Sequence, residues 1–157
     1  MMHLASKSGI SSYLSLVFRI VLGVMFFYAG TVHALDPQSF ATAVANYRIL
    51  PVVLLNPFAV VLPWLELISG LALIIGIWIP GGTLIVAGLL FLFSIALGMA
   101  LHRGLDISCG CFTTSHEARS ISWSYLVRDI SLLVLAIFVF FFDSGLASVM
   151  RITNSKK

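Results

Sequence analysis

Long apolar runs and short polar interruptions alternate along the chain, and the runs are similar in length. Predominantly apolar stretches cover residues 13–35, 57–78, 82–101 and 123–142. Each supplies about the 20 residues that a helix needs to cross a bilayer core of about 30 Å. In lipid every backbone N–H and C=O must find its partner within the chain, which favours helices and excludes an open sheet. The pattern therefore predicts an all-α fold: an integral membrane four-helix bundle forming a single domain over residues 1–157.

The interruptions are unequal. Residues 36–56 separate the first two runs, the turn Ile79-Pro80-Gly81-Gly82 separates the next two, and residues 102–122 separate the last two. Within the first interruption Phe40, Ala43, Val44, Tyr47 and Leu50 recur at helical spacing, with Asn46 and Arg48 off that face. This predicts a short amphipathic helix at the membrane interface or capping the bundle. Pro51 is expected to end it, because a residue before proline avoids the helical region.

Inside the runs, Ser11 and Ser12 are candidate caps for span one. Asn56-Pro57 is expected to open span two and Pro63 to kink it. Gly23 and Gly30 lie seven apart on one face, which permits close helix approach; Gly88, Ser94 and Gly98 read as further contact points. His102-Arg103-Gly104 closes span three, and Trp123 and Tyr125 suit an interface at the start of span four.

Composition agrees with this pattern. Of 157 residues, 60% are hydrophobic and 10% charged, and the mean hydropathy is +1.08; a soluble domain carries about 25% charged residues. A net charge of +3 rests on so few groups that it bears on topology and not on nucleic acid. Lys7 before an apolar stretch, with Val32-His33-Ala34 after it, imitates a signal peptide, but the run from Tyr13 to Ala34 is longer than a signal core and reads as a retained span. Lys7, Arg151, Lys156 and Lys157 mark the side of the termini, and Arg48, Arg103 and Arg119 the other. The positive-inside rule then puts the termini in the cytoplasm of a bacterial inner membrane and residues 102–122 outside it.

The candidate chemistry lies in that outer half. Cys109-Gly110-Cys111 holds both cysteines of the chain. Glycine tolerates the backbone angles of a small strained disulfide ring, and strain favours exchange over stapling. Two unpaired loop cysteines are the plain alternative. A metal site from His102, Cys109, Cys111 and His116 is a third, although one residue between cysteines is tighter than zinc-finger spacing. Arg119, His116 and Arg128 are the positive groups that would favour a thiolate.

Glu66 stands deep in span two, where a carboxylate costs about 2.5–3.5 kcal/mol on insertion scales, so it must be protonated, paired, or both. Arg128 and Asp129 are adjacent, about 100° apart on a helix, so they need not pair, and Arg128 is free to reach toward Glu66 or the cysteine loop. His33 reads first as an interfacial histidine. With Trp64 and Glu66 it also outlines an apolar pocket with few polar groups, suited to a membrane quinone.

Several of these residues resemble a known group. Gly23 to His33, Asp36-Pro37, Asn46-Tyr47-Arg48-Ile49-Leu50-Pro51, and Leu62-Pro63-Trp64-Leu65-Glu66 followed by Gly70 and Gly76 resemble the DoxX-like membrane proteins. Cys109-Gly110-Cys111-Phe112 before the last helix resembles the MauE branch of that group. The resemblance extends over nearly the whole chain. It implies redox work at the membrane: disulfide handling for exported proteins beside a thioredoxin-like partner, or quinone-linked oxidation. The layout is also similar to that of enzymes passing electrons from thiols to quinone, but this chain lacks their second cysteine pair. Two functions follow as expectations. One is a thiol–disulfide oxidoreductase using Cys109 and Cys111, with Glu66 and Arg128 assisting. The other is a non-catalytic assembly factor or subunit of a larger membrane redox complex.

Overall fold

A computed structural model describes residues 9–49, 51–104 and 123–143. Five helices occupy them: α1 (Gly9–Leu35), α2 (Pro37–Asn46), α3 (Val52–Ile75), α4 (Ile79–His102) and α5 (Trp123–Phe142). All but α2 are long and apolar enough to cross a membrane. No strand occurs among the described residues. The four long helices form a ring in which α1 packs mainly on α3 and α4 on α5, while α3–α4 and α1–α5 contacts close it. Leu22, Phe26, Leu62, Leu73, Val86 and Leu132 fill the centre. The outward surface is apolar as well, with Val53, Ile68, Leu84 and Val134 exposed; these side chains face lipid.

The α1–α3 contact is close because glycines meet there. A Cβ on Gly23 would stand 3.0 Å from the Gly70 carbonyl oxygen, and one on Gly70 would stand 2.6 Å from the Phe27 amide nitrogen. Small residues of this kind let two backbones approach in lipid, where dispersion contacts must hold helices together. Gly88 and Gly98 differ from the expectation. Nothing among the described residues lies within 4 Å of a Cβ at either, so neither marks a helix contact there.

Four boundaries also differ from the sequence expectation. Helix α1 begins at Gly9, so Ser11 and Ser12 lie inside it and do not cap it. Span two begins at Val52, not Pro57, with Pro51 as N-cap and both Pro57 and Pro63 inside the helix. The apolar turn Val52-Val53-Leu54-Leu55 satisfies its backbone by joining the helix, which in lipid outweighs the one amide that Pro57 lacks. The turn between α3 and α4 lies at Gly76-Ile77-Trp78, earlier than expected. Gly76 takes the left-handed conformation (φ 79°) and donates to the Ala72 carbonyl at 2.9 Å. Pro80 and Gly81 then fall in the first turn of α4. Finally, α2 stops at Asn46 and not at Pro51, because Arg48 turns left-handed (φ 52°).

At its start α2 is capped by Asp36, whose carboxylate accepts from the Ser39 amide at 3.0 Å, with Pro37 in the first turn. Hydrogen bonding by the Ser39 side chain and amide holds the Asp36 carboxyl below the usual carboxylate range. The helix folds back over α3 and the end of α1. Of its expected apolar face, Phe40 and Tyr47 are buried, Ala43 and Val44 are half-buried, and Leu50 lies outside the described residues. Thus α2 caps the bundle.

Candidate functional site

Two polar clusters interrupt the apolar interior, one toward each end of the ring. At the end that carries the chain termini, Arg19 on α1 faces Asp143 just beyond α5 at 3.4 Å, and the Ser15 hydroxyl lies 3.5 Å from the same carboxylate. Both charged side chains are buried, so this pair ties the first span to the last. Sequence reading passed over Asp143, although an acid closing span four and a base two turns into span one lie at matching depth.

The second cluster sits in the half where α4 ends and α5 begins. Gly30 comes one turn before His33, and the backbone of α3 fills the place where a side chain at Gly30 would be: a Cβ would stand 2.8 Å from the Pro63 carbonyl oxygen. That approach brings the last turn of α1 against Glu66. His33 Nδ1 and Glu66 Oε2 are 2.8 Å apart, with side-chain exposures of only 1% and 3%. His33 is therefore no interfacial residue; it is the interior partner that the cost of burying Glu66 demanded. Phe40 of α2 stacks on the imidazole, with ring centroids 4.1 Å apart and planes 21° apart. The stack restrains the orientation of the ring.

Arg128 and Asp129 contribute from the second turn of α5. Arg128 donates to Asp129 Oδ1 from Nε at 3.2 Å and from Nη2 at 2.9 Å, and its guanidinium lies 5.3 Å from the centre of the Tyr125 ring. The two neighbours, which the sequence did not require to pair, do pair. A long guanidinium fork spans the 100° between neighbours on the helix, and the half-exposed Arg128 thereby compensates a carboxylate turned inward.

His33, Glu66, Arg128 and Asp129 line one cavity of about 30 Å³, walled by Met25, Phe26, Leu90, Phe93 and Leu132. That is room for a water-sized molecule. Trp64 is not brought to it; it is 59% exposed on the outer side of α3. Tyr47, at the end of α2, packs with Leu97 and Ala100 of α4 near the start of α5. Burial, reinforced by the Asp129 charge and opposed by Arg128, pushes the Tyr47 phenol up to about 12. Phe40 and Tyr47 were read from sequence only as one apolar face; helical periodicity shows a face but not what covers it. His102 is the exposed last residue of α4. Cys109, Cys111, His116 and Arg119, which carry the redox and metal readings, lie outside the described residues.

Fold and site together define a multi-pass helical membrane protein with a buried His–Glu pair in the half where α4 ends and α5 begins. The chain belongs to the MauE family: a family model described as "Methylamine utilisation protein MauE" matches residues 11–142. It is 33% identical over 103 residues to the methylamine utilization protein MauE of Methylophilus methylotrophus, covering 65% of this chain and 54% of that one. To the protein of the same name from Methylorubrum extorquens it is 36% identical over 100 residues, covering 63% and 53%. To that of Paracoccus denitrificans it is 30% identical over 120 residues, covering 76% and 64%. The matched region thus spans about half to two thirds of these relatives' lengths. No solved structure matches the chain.

Proposed function

We propose that this chain is a quinone-linked membrane thiol–disulfide redox protein that serves methylamine utilisation. The observation that carries the reading is the convergence of His33, Glu66, Arg128 and Asp129 on one cavity in the half of the bundle from which the Cys109–Cys111 loop springs. Buried acid–base pairs are expensive in an apolar bundle, and a site that must pass protons uses them. In the proposed orientation the termini are cytoplasmic and the loop faces the periplasm of a bacterial inner membrane, where disulfides persist.

A thiolate of an exported or thioredoxin-like partner attacks the Cys109–Cys111 disulfide, giving a mixed disulfide; the partner's second thiol resolves it. The partner leaves oxidised by two electrons, and Cys109 and Cys111 remain as thiols. Their reoxidation delivers two electrons and two protons to a membrane quinone, which leaves as quinol. His33 and Glu66 hold and release protons at the membrane side of that step. Cys109, beside Asp106 and Ser108, meets the partner; Cys111, beside Phe112, faces the acceptor.

The relatives' name favours a second reading, an accessory subunit of a methylamine-utilisation complex that does not turn over. Thiol trapping in native membranes separates the two. Under the redox reading Cys109 and Cys111 cycle between thiol and disulfide when the quinone pool turns over, and one of the two single serine variants accumulates a reductant-sensitive adduct with a partner. A pair that stays oxidised throughout, with no adduct in either variant, makes the subunit reading the correct one.

A further inference from the structure

The polar cavity beside His33 and Glu66 is too small, at about 30 Å³, to take a quinone ring. Next to it, between α2, α3 and α4, lies a cavity of about 170 Å³. Apolar cavities of about 150 Å³ take up a benzene-sized ring. Phe93 lines both spaces and so forms the partition between them. Val44 and Tyr47 bound the larger one from α2, and Leu62 and Leu89 from α3 and α4. Two more of its residues, Ile49 at 38% and Leu92 at 57%, are exposed on the apolar exterior, which makes the opening lateral, toward lipid.

These features select an occupant. A ligand entering there comes from the bilayer, and its body must be apolar. Its head must be neutral, because none of the residues that line the space is charged. The head must also suit the one polar side chain of the lining, Tyr47, which lies within the field of Asp129 and Arg128. A planar, neutral ring with hydrogen-bond acceptors and a long apolar tail meets all three conditions. We infer that the α2–α3–α4 cavity seats the ring of a membrane-borne quinone, with Phe93 separating it from the His33–Glu66 pair. The inference rests on the quinone-linked reading above and moves the seat away from Trp64.

The test uses the full chain in lipid nanodiscs and a short-chain ubiquinone analogue bearing a photoreactive azido group. Labelled peptides should include residues 89–96 or 44–49. Ala96→Phe and Leu92→Trp, which add bulk in the cavity and at its opening, should each cut labelling at least tenfold while the circular dichroism stays that of the parent. Phe93→Ala, which removes the partition without adding bulk, should keep or raise it, and Trp64→Ala should leave it unchanged. Labelling centred on Trp64, or unaltered by both bulky variants, overturns the seat. So does equal labelling of the cavity by a photoreactive acyl phospholipid that excess quinone fails to displace. If the bulky variants label normally and Cys109 and Cys111 are still reoxidised by quinone, the seat is wrong and the redox reading stands. If the parent protein neither labels nor passes electrons to quinone, the reading itself falls.

Discussion

Gly30 on α1 and Glu66 on α3 stand so close that a methyl group on the glycine would lie 2.9 Å from the glutamate Cβ. The carboxylate is thus delivered to His33, one turn further along α1, by the absence of a side chain.

Gly30→Ala should therefore push the helices apart. Overpacking of this kind costs about 1–3 kcal/mol, and the His33–Glu66 bond should lengthen with it. Gly98→Ala is the control: its Cβ meets nothing within 4 Å among the described residues, and alanine gains up to about 1 kcal/mol over glycine in a helix. Unfolding in detergent should show the two changes with opposite signs. Equal effects would mean that α1 and α3 do not cross at Gly30.

Glu66→Gln keeps an acceptor for His33, so it should retain the fold and slow reoxidation of the cysteine pair. Glu66→Leu takes the carboxylate away from a buried imidazole, and breaking a buried pair costs about 3–5 kcal/mol. The double change His33→Leu with Glu66→Leu should recover most of that loss without recovering activity. Normal turnover in Glu66→Gln and Glu66→Leu alike would make the pair purely structural.

The Arg19–Asp143 pair makes a separate claim, at the other end of the bundle. Asp143→Ala removes the carboxylate facing a buried guanidinium. At 3.4 Å the contact is long, so the loss should fall toward the low side of about 3–5 kcal/mol. The redox behaviour of Cys109 and Cys111 should be untouched. A change in that behaviour would show that the two clusters communicate.

Tyr47 gives a pH signature. Its folded value of about 12 lies above the ordinary value of 10.0, so the folded chain holds the phenolic proton more tightly than the unfolded one. This contribution to stability is complete below pH 10 and is lost as pH rises through 12. Spectrophotometric titration should show a late phenol transition that is absent in Tyr47→Phe. A spectrum in which Tyr47→Phe removes no late transition would contradict the burial of Tyr47 against the Asp129 charge.

Orientation is tested by single cysteines in a chain lacking Cys109 and Cys111. Positions 6 and 156 should resist an impermeant thiol reagent in intact cells, and position 114 should react. Labelling of the termini instead would reverse the proposed topology.

The primary structure determines the architecture of this protein, because in a bilayer the constraint is one-dimensional. Twenty apolar residues with no water to satisfy their backbone must form a helix. Glu66 announces itself for the same reason: a carboxylate at that depth must have a partner. Helix ends were less legible, since Pro57 and Pro80 each suit a helix start and only packing decides which turn joins the helix. The partners needed three dimensions. His33 with Glu66, Phe40 on His33, and Arg19 with Asp143 join helices at an azimuth and depth that periodicity leaves free. The first of these was decided by the α1–α3 crossing at Gly23, Gly30 and Gly70, where the missing Cβ atoms let one backbone settle against the other.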